Sequence, residues 1–204
     1  MKTPPLDDYS MSQHQHAEDL FNAILSCDAE AVILLAPRVI DLDFHRDQGF
    51  GESPLMLSAR MDLPLIAFKA LLERSDPRQH GPDGQSALML AAMGRVPHSP
   101  DLVRLLLPLS DPLAVDCEDD TALCAAIKHH GAFRQSSEII ALLLPVSDLH
   151  REDANGWTPL ALAREVRCGD AIDLILREIS RRESQELAFS LPQAKPAHPI
   201  APRL

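Results

Sequence analysis

Aromatic residues are scarce in this chain: one Trp, one Tyr and six Phe among 204 residues. β-Branched runs of alternating polarity are missing too, so a sandwich or barrel is excluded. The eight glycines form no Gly-rich phosphate loop. The four cysteines, Cys27, Cys117, Cys124 and Cys168, include no C-x-x-C pair and read as reduced thiols. No apolar run approaches the roughly 18 residues that cross a bilayer. Basic clusters are absent as well; Arg181 and Arg182 are only a pair, and the formal net charge is −11. Such a chain repels phosphate backbones and anionic headgroups, so nucleic acid and membrane are not expected partners. Met1 to His16 is polar and lacks the basic-then-apolar order of a secretory signal. Cytoplasmic residence is the expectation, with secretion by a signal-less route left open.

What the chain does have is apolar residues, 46% of the total, with Leu and Ala dominant. Small and unbranched side chains suit close packing of helix on helix. They also recur. Gly51-Glu52-Ser53-Pro54-Leu55 aligns with Gly84-Gln85-Ser86-Ala87-Leu88, with Asp119-Asp120-Thr121-Ala122-Leu123 and with Gly156-Trp157-Thr158-Pro159-Leu160. The leucines step by 33, 35 and 37 residues. Ser53, Ser86, Thr121 and Thr158 stand where a hydroxyl caps a helix. Pro54 and Pro159 stand at the first helical position, which tolerates proline. A glycine opens three of the four turns, and Asp119 replaces it in the other.

A second apolar helix follows in every unit, around Leu65–Leu72, Leu102–Leu107, Ile139–Leu144 and Ala171–Leu176. Ser-Asp and Pro punctuation ends the first three. A weaker copy, Leu20–Ile24 then Asp28–Leu35, precedes them and reads as a terminal cap. The expected fold is therefore an all-α solenoid of about five helix–loop–helix repeats. Their bounds are about 16–47, 48–80, 81–115, 116–152 and 153–183. Residues 1–15 and the Pro-rich 184–204 read as flexible tails.

Asp153-x-x-Gly156-Trp157-Thr158-Pro159-Leu160-Ala161-x-Ala163 resembles the ankyrin-repeat signature, a turn followed by T-P-L-H-x-A. The Ser-Asp-Pro endings are similar to those of bacterial members. The resemblance implies a curved array with projecting hairpin-like turns, and binding of another protein by turn tips and inner helices. Two departures matter. The signature His is replaced by Met56, Met89, Cys124 and Ala161, which puts its hydrogen bonds in question. The third and fourth units carry longer inter-helix loops, near 95–100 and 131–136.

Residues that carry chemistry elsewhere have simpler readings here. His129 and His130 are adjacent, so they face different ways on a helix. His14 and His16 fall in the terminal segment. Asp116, Glu118, Asp119 and Asp120 lack the order and the closing Glu of a calcium loop. They read as a solvated turn or an acidic patch for a basic partner. No nucleophile elbow occurs, and the repeat hydroxyls are used as caps. No catalytic residue, metal or cofactor is expected.

Carried over from the family, the tip positions are Phe50 and Glu52, Asp83 and Gln85, Glu118 and Asp120, and Asn155 and Trp157. The exposed inner-helix positions are Arg60, Met61, Met93, Lys128, His129 and Glu165. Phe50 and Trp157 are the aromatic candidates for interface anchors; the alternative is that each ring folds back on its own turn. The function expected is a non-catalytic adaptor or scaffold, monomeric, with a protein partner whose surface is basic. Two rivals are an inhibitor or immunity-type protein blocking one enzyme, and a metal-dependent or enzymatic protein using His129, His130 and the acidic turn.

Overall fold

The computed structural model describes residues 8–42, 51–130 and 136–190. Among them are ten α-helices and no strand. They are α1 (Asp8–Leu25), α2 (Ala29–Leu35), α3 (Pro54–Arg60), α4 (Leu65–Leu72) and α5 (Ala87–Ala92). Then come α6 (Ser99–Leu106), α7 (Ala122–Lys128), α8 (Ser136–Leu143), α9 (Pro159–Glu165) and α10 (Gly169–Ser190). Odd-numbered helices pack on one another as an inner row, and the even-numbered ones pack behind them. The five-unit solenoid read from the sequence is the fold.

The inner helices α3, α5, α7 and α9 start where the hydroxyls predict. Ser53, Ser86, Thr121 and Thr158 accept from the backbone N–H three residues on, at 3.4, 3.3, 3.4 and 3.3 Å. Sulfur takes up part of the role of the missing His. The Ser86 N–H points to Met89 Sδ at 3.5 Å, and the Thr121 hydroxyl to Cys124 Sγ at 3.5 Å. The helices are buried almost all round: Leu55, Leu88 and Leu123 are at most 1% exposed. Six or seven residues cannot hold a helix alone in water; burial between neighbours does.

Outer helices end on a second device. Their last carbonyls have no partner within the helix. Arg182 donates to Leu144 O at 2.6 Å and to Ser147 O at 3.1 Å, closing the end of α8. Arg74 does the same for the end of α2, through Ala36 O and Val39 O. Each arginine comes from the next repeat, so one contact both caps a helix and staples two units. Glu178 holds Arg181 and Arg182 in place. The Arg181 hydrogen bond, supported by Arg182, outweighs burial and lowers the Glu178 pKa to about 2.

The ends of the array differ from expectation. Residues 8–15, read as tail, are the first turns of α1. Gln13 Oε1 accepts from Ile40 N at 3.2 Å and Gln15 donates to Asp19 at 2.8 Å, which ties these turns to the first repeat. At the other end α10 runs through 184 to Ser190, because no Pro or Gly interrupts it before Pro192. The Pro-rich stretch 191–204 lies outside the described residues.

Candidate protein-binding surface

The turns before the inner helices are nearly identical in backbone. Gly81 N–H donates to Gln85 O, Asp116 N–H to Asp120 O and Asp153 N–H to Trp157 O, at 2.9, 3.1 and 3.0 Å. Asp116 and Asp153 add their own carboxylates. Each accepts from backbone N–H groups two and four residues on, all within 3.0 Å. Asp119 stands at φ 59° where Gly84 and Gly156 stand at 76° and 75°. The turn keeps its shape despite the missing glycine, because Asp tolerates the left-handed region better than most residues do. Successive tips are tied main chain to main chain. Cys117 N–H donates to Asp83 O at 2.9 Å, and Ala154 N–H to Glu118 O at 3.0 Å. The tips thus form one row along the array.

Residues 64–144 match a family model described as ankyrin repeats in three copies. The chain carries ankyrin repeats. The matched segment spans α4 to α8, and units of the same construction flank it on both sides. No match is found among curated proteins. Ankyrin repeats generally serve protein–protein interaction and are typically non-catalytic, and no described helix is long and apolar enough to cross a membrane.

The candidate residues fall into three groups along the array. Glu52, Arg60, Asp83 and Gln85 converge on a groove of about 330 Å³ between the second and third repeats. Arg60 and Glu52 form an ion pair at 3.1 Å. Burial pushes the Glu52 carboxyl up even so, against the pull of Arg60 and Arg95. Met61 lies beside the core, half-buried. Arg95 lines the same groove and was not among the expected contacts. Its one sequence signal was the long loop that begins there.

Lys128 centres the second group. Its ammonium is bonded to Asp120, lies 3.2 Å from Glu118 and sits 4.0 Å from Asp153. Asp120 is 4% and Asp153 6% exposed. Asp120 was expected on the exposed tip, and that is corrected: neighbouring tips enclose it, and desolvation raises its pKa despite Lys128. Met93 is a second correction. It occupies the position of Arg60, Lys128 and Glu165 but is 7% exposed, because an uncharged side chain gains by burial there. His129, beside Arg95 and Lys128, is half-buried; desolvation chiefly, then those two cations, lower its pKa.

Asn155, Trp157 and Glu165 make the third group, all exposed, on the last repeat. Trp157 keeps 37% of its surface in solvent while its main chain is held by Asp153. Phe50 lies outside the described residues, as does most of the second long loop.

Among the described residues no three His, Cys, Asp or Glu side chains converge on a metal position. The amine of Lys128 fills the middle of the acidic cluster instead. Ser137 lies 3.5 Å from His130 Nε2 but donates its proton to Asp170 at 3.0 Å. That order holds the hydroxyl as a donor toward the Asp170 carboxylate. Burial pushes the Cys124 thiol up, away from the thiolate.

Proposed function

We propose that this chain works as an adaptor or scaffold that holds another protein along the edge formed by its tips and inner helices. The observation that carries this is the row of stacked tips. Backbone bonds fix their spacing, so Asp83, Glu118, Asn155 and Trp157 are presented with little freedom left to lose on binding. A rigid, extended edge suits a partner of matching shape, and exposed Glu118, Asp119 and Glu152 favour basic groups on the part that meets the tips. A monomeric, cytoplasmic and bacterial protein belongs to the same reading, on the sequence features already given.

A photo-reactive amino acid placed at Trp157 or at Glu118 of the full chain tests the proposal in its native cell. Arg177, exposed on α10, is the control position. One partner should cross-link from both tips and not from Arg177. Equal labelling from all three positions, or no adduct from either tip, refutes the proposal.

A further inference from the structure

The groove between the second and third repeats is chemically unlike the tips around it. The chain carries a net charge of −11, and the tips expose carboxylates. The groove instead sets two arginines, Arg60 and Arg95, beside its two acids, Glu52 and Asp83. Glu52 is already matched by Arg60. Arg95 has no such match: among the described residues its guanidinium makes no hydrogen bond or ion pair, although it is exposed.

Arg95 is also held firmly at its root. Val96, which follows it, is 4% exposed. The Val96 N–H donates to Ser99 Oγ at 3.2 Å, and the Ser99 N–H returns to Val96 O at 3.1 Å. The longer loop of the third repeat therefore presents a cation from a fixed base. Met56 and Leu90 close the groove floor, and Pro82 forms part of its wall. Asp83 and Arg95 both lie within electrostatic reach of Glu52 and act on it in opposite directions.

We infer that this groove receives an acidic side chain, Asp or Glu, from a peptide segment of the partner protein, paired with the Arg95 guanidinium. The inference rests on the interaction reading above and adds to it. The partner meets acidic tips with its basic groups and sets one acid into the groove. Alternating signs of this kind fix register, because a shifted partner brings like charges together. Guanidinium is the cation suited to the task, since its planar fork takes a carboxylate by two hydrogen bonds.

The test is a random-peptide library displayed on phage and panned on the immobilised full chain. Enriched peptides should carry Asp or Glu, and their synthetic copies should perturb the amide signals of Arg60, Gln85 and Arg95. Arg95→Ala should weaken those peptides roughly ten- to hundredfold, the range for a hydrogen bond to a charged group. Arg95→Glu should turn the selection toward Lys and Arg, with circular dichroism unchanged. Enrichment of no peptide, of peptides lacking an acid, or of peptides indifferent to Arg95→Ala overturns the inference. So does a dimer of this chain that Arg95→Glu dissolves, since a second copy would then fill the groove. The interaction reading falls separately, by the cross-linking result at the tips.

Discussion

Replacing Gly84 by alanine should damage this array far more than the same change at Gly156. The two residues have the same backbone, φ 76° and 75°, so both variants pay the left-handed penalty. That penalty is roughly 1–2 kcal/mol, less about 0.4–1 kcal/mol returned by the stiffer unfolded chain. Gly156→Ala should stop there, at about 1 kcal/mol, because nothing lies within 4 Å of the added methyl. At Gly84 the methyl would meet Asp116 Cα at 2.9 Å and Cys117 N at 3.2 Å. Those are backbone atoms of the next tip and cannot rotate away. Parting the tips strains the neighbouring turn, at about 1–3 kcal/mol for an overpacked site. It also loosens the bond from Cys117 N–H to Asp83 O, adding about 1 kcal/mol. The gap between the variants should therefore be about 2–4 kcal/mol. Urea unfolding of both full-length variants, followed by circular dichroism and by the single Trp157, measures it. Because repeat stability is a sum of units and interfaces, Gly84→Ala should also broaden the transition. Equal midpoints for the two variants would show that the stacked tips do not couple the repeats.

Asp119→Gly should stabilise the fourth turn by up to about 1 kcal/mol in the same assay, since a non-glycine residue at φ 59° gives way to the residue that suits it. Lys128→Met should cost about 2–3 kcal/mol, because buried Asp120 and Asp153 then lose their shared cation; Asp120→Asn in the same chain should recover part of the loss. Glu178 supplies a pH prediction. Its pKa is held near 2, below its ordinary 4.5, so its contribution is complete above about pH 4.5 and is lost as pH falls toward 2. In acid titrations followed by circular dichroism, Glu178→Gln should flatten that part of the stability curve and leave Arg182 less firmly placed. Trp157→Ala together with Phe50→Ala should weaken the cross-linked partner by about 2 kcal/mol or more if the aromatics are anchors, and surface plasmon resonance would read it.

The repeat was legible because each cap answers to chemistry within four residues. Ser53, Ser86, Thr121 and Thr158 need only a nearby N–H, and the leucines need only a period. The turn at Asp119 was legible as an exception, but not its outcome. Whether Asp holds a left-handed turn depends on the Asp116 carboxylate, which ties down the N–H groups of Glu118 and Asp120. The surface was harder to read. Met93 and Asp120 stand at positions where the family exposes a residue, yet burial depends on what the adjacent repeat places over them. Asp153 was visible as part of the signature, but its meeting with Lys128 joins residues 25 apart in sequence. Arg95 was hidden for the same reason. A loop insertion announces itself by length, while the groove it reaches is completed by Glu52, Met56 and Arg60 of the preceding repeat.

The caps, the core leucines and the tip-to-tip bonds involve backbone or small side chains, so they specify little beyond spacing. On the interaction proposed above, specificity would rest on the few side chains that the frame leaves over: Asp83, Arg95, Glu118, Asn155 and Trp157, all exposed. None of them closes a helix or fills the core, so substitution there should cost little stability. Lys128 is different. It lies in the same surface yet neutralises buried carboxylates, so a change that altered binding at Lys128 would also loosen the fourth and fifth repeats. On that proposal, partner choice would drift freely at the groove and the tips, while the acidic centre is held in place by the fold itself.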